Sequence, residues 1–196
     1  MNQFEAFFLT FIPIMVAINV PGVLPIYISI SEKLSQAQKR RVALHSVVTA
    51  FTVAVVFVFL GQVMFNALRI QVEDFMIGGG ILLLVISIVE IVTGRVKTGR
   101  SGPDLGAVPL GTPLLAGPAT LTTALILAGT YGYIPVILSL IVVLVLAWLS
   151  FTWAEVILKI VGQNGARAVA KVAYLLLAAI AVNLVKNGIF KVIGLK

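Results

Sequence analysis

The chain has 196 residues, of which 60% are hydrophobic and only 11% charged, with a mean hydropathy of +1.13. Soluble domains carry about 45–50% apolar and about 25% charged residues, so this composition excludes a soluble globular domain and indicates an integral membrane protein. The absence of cysteine and the single histidine exclude disulfides, thiol catalysis and multi-histidine metal sites. The net charge of +7 is confined to short basic clusters between apolar runs, which points to membrane orientation and away from nucleic acid.

A transmembrane helix needs about 20 mostly apolar residues. Six such spans are predicted, near 4–30, 43–65, 75–93, 107–129, 133–156 and 170–194. Met1 to Phe8 lacks a basic n-region, so the N-terminus reads as the start of span one and not as a cleavable signal. Span one is over-long and contains Pro13, Pro21, Gly22 and Pro25, consistent with an unwound middle. The loop after it, Ser31 to Val42, carries Lys33, Lys39, Arg40 and Arg41. Span three opens on Gly78-Gly79-Gly80, which reads as a site of close helix approach. The next loop carries Arg95, Lys97 and Arg100.

Span four holds the densest set of helix breakers: Pro109, Gly111, Pro113, Gly117 and Pro118. Lys159, Arg167 and Lys171 lie between spans five and six. Only Arg69, Lys186, Lys191 and Lys196 fall on the opposite side. The positive-inside rule therefore places the first, third and fifth loops in the cytoplasm and both termini outside the cytoplasmic (inner) membrane.

A shift of 96 residues lays Pro13 on Pro109 and Pro21-Gly22 on Gly117-Pro118. It also lays Ser87 on Asn183 and Glu90 on Lys186. Each half holds three spans, so the second half is inverted relative to the first. The predicted fold is one all-α transmembrane domain over residues 1–196, with six transmembrane helices arranged as two inverted three-helix repeats and helices one and four discontinuous. The halves, about 1–93 and 107–196, are joined by a basic cytoplasmic loop, 94–106.

Irregular backbone at mid-membrane survives only when protein or a water-filled cavity surrounds it. Gly117-Pro118 reads as a helix start, with Pro118 at the first helical position, and Pro21-Gly22 reads the same way. Each start would present free N–H groups and a positive dipole end to the membrane centre, where a carboxylate is attracted. The alternative is that these prolines only kink packed helices. The candidate substrate site comprises Asn19, Val20, Pro21, Gly22, Ala116, Gly117, Pro118, Ala119, Thr120 and Thr123. N–H groups near Gly22 and at Ala119 and Thr120 would receive a carboxylate. Asn19 and nearby carbonyls would accept an ammonium, with hydroxyls from Thr120 and Thr123. Leu24 and Leu115 would cap the space. A local role competes for two of these residues: Thr120 can bond its own backbone, and Asn19 can satisfy the freed backbone at the break.

Asn183 and Asn187 either line the cavity or bond across helices, the second being favoured. No acidic residue sits at mid-depth. Glu5, Glu73, Asp74, Glu90, Glu155 and His45 all read as interfacial, with Glu90 and Glu155 the remaining candidates for ion coupling.

The run from Pro113 to Pro118, followed by Ala119, Thr120, Leu121, Thr122 and Thr123, resembles a signature of the MarC family of membrane proteins, which includes small neutral amino-acid transporters of the SnatA type. Asn19, Gly22, Pro25, Ile26 and Tyr27 resemble its other signature. Departures are Pro21, which is shifted, Val23 in place of a common Asn, and Ala119 in place of a frequent Gly. The resemblance covers the whole chain. It implies transport of glycine, alanine or serine, with proton coupling as one option and no bound cofactor. The expected function is a secondary transporter working by alternating access around a midplane site, with a small neutral amino acid and the lipid bilayer as its partners. A channel for small solutes or ions is the alternative. An intramembrane enzyme ranks low, because no paired mid-span acids or central histidine are available for acid–base work.

Overall fold

The computed structural model describes residues 3–31, 34–93 and 106–194. Among these, all regular structure is helical: α1 (Gln3–Ile18), α2 (Val20–Ser31), α3 (Gln36–Leu68), α4 (Val72–Thr93), a proline-rich segment with wide, π-type turns (Gly106–Leu115), α5 (Pro118–Tyr131), α6 (Tyr133–Thr152) and α7 (Ala154–Ile193). Five stretches are long and apolar enough to cross a membrane. A sixth arises if the proline-rich segment and α5, which meet at 56°, form one span. The five coincide with five of the six predicted spans, and the bent pair covers the predicted span four. The loop 94–105, including Arg95, Lys97 and Arg100, lies outside the described residues, as do Lys33 and the side chains of Glu90, Glu155, Lys159 and Arg167.

Two boundaries differ from the sequence expectation. Helix α3 begins at Gln36, seven residues before the predicted span, because Ser35 and Gln38 form a capping box. The Ser35 hydroxyl accepts from the Gln38 N–H, and the Gln38 side chain accepts from the Ser35 N–H at 2.9 Å. Lys39, Arg40 and Arg41 therefore ride on the first turns of α3. Helix α7 starts at Ala154, well before the predicted sixth span, and turns at Gly162 (φ 71°), a left-handed position that glycine adopts without strain. Its membrane-length stretch is Lys171–Ile193.

Helix α4 packs along α7, α3 along the proline-rich segment and α5, and α6 along α1 and α3. The glycine run is a site of close helix approach, as the sequence predicts. A Cβ on Gly79 would run into the Pro118 ring, and one on Gly80 would come within 2.9 Å of the Ala181 carbonyl. These two glycines bring α4 against the start of α5 and against α7, while Gly78 faces open space. Such close backbone approach is the main source of packing energy between helices in lipid.

Candidate functional site

The first interruption is a single residue. Asn19 takes the left-handed conformation (φ 50°), which asparagine tolerates better than most side chains. The second helix of the span starts at Val20, one residue earlier than Pro21-Gly22 predicts, and Pro21 falls in its first turn. There its missing N–H removes no helical bond. The Gly22 N–H, expected to meet a substrate carboxylate, instead donates to the Asn19 carbonyl at 2.9 Å, and so does that of Val23 at 3.1 Å. The Asn19 side chain folds over Gly22 so closely that a Cβ there would collide with its amide.

The second interruption is wide. Val108 (φ −136°, ψ 124°) and Thr112 (φ −133°, ψ 133°) are extended, the conformation that a following proline imposes. The Ala116 N–H reaches back five residues to the Gly111 carbonyl at 2.9 Å. Gly117 is the N-cap of α5 without a side-chain cap, and Pro118 occupies the first helical turn, as the sequence predicts. Any side chain on Gly117 would collide with the Pro113 carbonyl. Ala119 and Thr120 occupy the first turn of α5, where N–H groups have no intrahelical acceptor; Leu121 is the first whose N–H reaches back, to Gly117 at 2.9 Å.

The two interruptions meet. One small cavity of about 20 Å³ is lined by Asn19 and Gly22 from the first and by Pro113, Gly117, Ala119 and Thr120 from the second. Ala17, Ile18, Val23 and Leu114 complete these two walls. Leu83 of α4 and Ala173, Leu177 and Ile180 of α7 form the rest. A space of that size holds about one water molecule. Among the described residues, no hydrogen-bond partner meets the Asn19 side-chain amide. The Thr120 hydroxyl, 2% exposed, donates to the Leu115 carbonyl at 2.8 Å across the break. The local role is therefore filled, and the oxygen's lone pairs stay available as acceptors.

The other predicted site residues lie elsewhere. Val20, Pro21 and Thr123 do not line the cavity, and Pro21 is exposed on the outer surface. Ala116 and Pro118 line a separate lateral groove of about 490 Å³ beside Gly78 and Gly79. Leu24 and Leu115 do not line the cavity; Leu114 does. The four residues from α4 and α7 carry no sequence signal, since apolar residues in apolar spans look alike. Only the glycine run hinted that α4 approaches the second interruption.

Asn183 lies on the exposed face of α7, away from the cavity, and Asn187 is half-buried. Ser87, its repeat partner, is buried and donates to the Leu83 carbonyl at 2.8 Å, so the matched polar positions do not share a setting. Glu5, Asp74 and His45 are exposed; Asp74 accepts from the Gln71 N–H at 2.8 Å near the start of α4. Among the described residues, no group of three or more His, Cys, Asp or Glu side chains converges.

Comparison with known proteins agrees with this architecture. Residues 4–193 match the family model of MarC integral membrane proteins. A UPF0056 membrane protein of Methanocaldococcus jannaschii is 30% identical, over 94% of this chain and 96% of its own. The inner membrane protein YhgN of Escherichia coli is 28% identical over 86% and 88%, and the membrane protein YhcE of the same organism is 24% identical over 95% and 93%. No solved structure is similar. Composition, span count and a match along nearly the whole chain agree: the chain belongs to the MarC (UPF0056) family of multi-pass integral membrane proteins.

Proposed function

We propose that the protein is a secondary transporter of small neutral amino acids such as glycine, alanine and serine, working by alternating access across the cytoplasmic membrane. The carrying observation is the convergence of both interruptions on one mid-span cavity. In this reading the N-terminal end of α5 is the carboxylate receptor. Its positive dipole end and the N–H groups of Ala119 and Thr120 suit an anion. The Asn19 side-chain oxygen, the Thr120 hydroxyl oxygen and the carbonyls at the breaks suit an ammonium. Ala17, Gly22, Ala119 and Ala173 make room for small side chains only, and Leu83, Leu114 and Leu177 bound that room.

The inverted-repeat reading is supported by the packing. Exchanging span one with four, two with five and three with six carries three pairings, one·four, two·five and three·six, onto themselves. The same exchange carries one·five onto two·four and one·six onto three·four, and all of these are observed. The contacts of span five with its chain neighbours four and six have no counterpart of similar extent. A pseudo-two-fold axis in the membrane plane is the usual symmetry of transporters whose site lies between discontinuous helices. In this reading the positive-inside rule puts α2's far end and α3's start on the cytoplasmic side, with both termini outside.

The reaction is translocation without covalent chemistry and needs no bound cofactor; a proton gradient is one driving force. A cavity of about 20 Å³ is too small for glycine, and in this reading the site must widen to admit substrate. Uptake of labelled glycine and alanine into proteoliposomes, with and without an imposed pH gradient, tests this. Saturable uptake is the expected result. Flux that rises linearly with solute would favour a channel, and no flux in either direction would overturn both readings.

A further inference from the structure

A second, larger cavity lies toward the basic end of the molecule. It measures about 260 Å³ and is lined by Tyr27, Ser31, Lys39, Arg40, Phe151 and Thr152 among others. Arg40 and Thr152 at its mouth are exposed, whereas Tyr27, Ser31 and Phe151 at its floor are buried. It is a pit with exposed residues at its rim and buried ones at its floor.

Its floor adjoins the central cavity through one helix stripe. Val23, Tyr27 and Ser31 follow one another at four-residue spacing and so lie along one side of α2, with Asn19 just before its first residue. Asn19 and Val23 line the central cavity; Tyr27 and Ser31 line the pit. Just over one helical turn, about 6 Å along the axis, separates Val23 from Tyr27. The Tyr27 ring, 2% exposed, stacks on Phe151, 1% exposed, with centroids 4.5 Å apart and planes 13° apart. Its hydroxyl donates to the Lys39 carbonyl at 3.1 Å.

The other end of span one is held differently. The fully buried Thr10 hydroxyl lies 2.8 Å from the Ser139 hydroxyl, 2.9 Å from the Phe7 carbonyl and 3.2 Å from the Pro135 carbonyl. That network fastens α1 to α6 inside the protein. At the basic end the Tyr27–Phe151 stack and the Tyr27–Lys39 hydrogen bond lie at the rim of an open pit.

We infer that Tyr27, resting on Phe151, is the cytoplasmic gate of the solute pathway, and that the pit is its antechamber for small zwitterions. Movement of the ring off Phe151 joins the pit to the central cavity while the Thr10–Ser139 contacts keep the far end shut. The inference rests on the transport reading and on the orientation given by the basic loops.

The chain contains no cysteine, so single introduced thiols report accessibility without background. Val23→Cys probes the central cavity and Ser31→Cys the pit, each reacted with a membrane-impermeant methanethiosulfonate applied separately to the two sides of oriented vesicles. Ser31→Cys should react from the cytoplasmic side with or without the gate, which also verifies folding. Val23→Cys should react slowly in the parent and roughly ten-fold faster in Tyr27→Ala, as expected when a buried stacking contact is removed. That acceleration should come from the cytoplasmic side alone. Tyr27→Phe keeps the stack and should change the rate little. Phe151→Leu removes the stack from the opposite wall and serves where Tyr27→Ala fails to insert. Equal Val23→Cys rates in the parent and both stack-removing variants, or acceleration from the outer side, would overturn the gate. The labelling does not depend on which solute moves. Gated labelling without glycine uptake would leave the gate standing and remove the substrate reading; saturable glycine uptake with ungated labelling would do the reverse.

Discussion

The two interrupted spans start from similar sequences and end in different structures. Pro21 and Pro25 are four residues apart, as are Pro109 and Pro113, and Pro13 occupies the position equivalent to Pro109. Yet Pro13 and Pro25 sit inside regular helix, and only Asn19 departs from it, whereas the segment before α5 is extended at both Val108 and Thr112. Proline number and spacing therefore do not decide how far a helix opens. The neighbourhood does. Ile12, Pro13, Met15 and Val16 face outward, where an unpaired carbonyl would meet lipid. Leu110, Gly111, Leu114 and Leu115 are buried against protein. Gly111 lies so close to Thr49 of α3, and Gly106 to the Val42 carbonyl, that α3 backs the opened chain throughout. Freed backbone is tolerated where protein covers it and not where lipid does.

The comparison can be broken most severely at Gly117. Its missing side chain leaves room for the Pro113 carbonyl, so Gly117→Leu should distort the wide interruption and abolish saturable glycine uptake while the protein still reaches the membrane. Unchanged glycine affinity in that variant would separate the second interruption from the site. At the narrow interruption the obstacle is a side chain, not backbone. Gly22→Ala forces only the Asn19 amide to move, so it should weaken glycine affinity by about ten-fold and leave expression near the parent level.

A matched pair sharpens the contrast. Pro113→Ala restores a donor in the opened segment and alters a cavity wall, and should reduce uptake strongly. Pro13→Ala, in regular exposed helix, should retain uptake within a factor of about two and leave the melting temperature in detergent equal or higher, because proline is the poorest residue in a helix interior. Equal losses in the two would show that burial is not the deciding factor. The smallest effect belongs to Asn183→Leu. On the exposed face of α7 and away from the cavity, it should change neither uptake nor affinity; a clear loss would place Asn183 in the pathway.

Much of the cavity's lining is legible in the sequence for local reasons. Gly117 before Pro118 marks a helix start whatever surrounds it, and asparagine beside a proline-glycine pair marks a place where the chain leaves regular helix. Asn19, Gly22, Gly117, Ala119 and Thr120 were found this way, and all five line the cavity. Pro21 and Pro118 mark helix starts and Thr123 offers a hydroxyl, but residues next to one another in a helix point in different directions, and none of these, nor Val20 or Ala116, lines the cavity. For Asn183 the sequence leaves cavity lining and cross-helix bonding both open, with the second favoured; its facing depends on how α7 turns against α4, which Gly80 and Ala181 set by backbone contact.

The sequence by itself determined the solvent, the number of spans, the two places where helix would fail and the family, because apolar run length and the missing donor of proline act over a few residues. Tertiary structure alone decided which interruption opened wide, which apolar residues of α4 and α7 closed the cavity, and that Tyr27 met Phe151. Each of these depends on a partner far away in the chain: a carbonyl freed by proline is harmless or costly according to what packs over it, and a ring becomes a barrier only when another element supplies the surface it rests on.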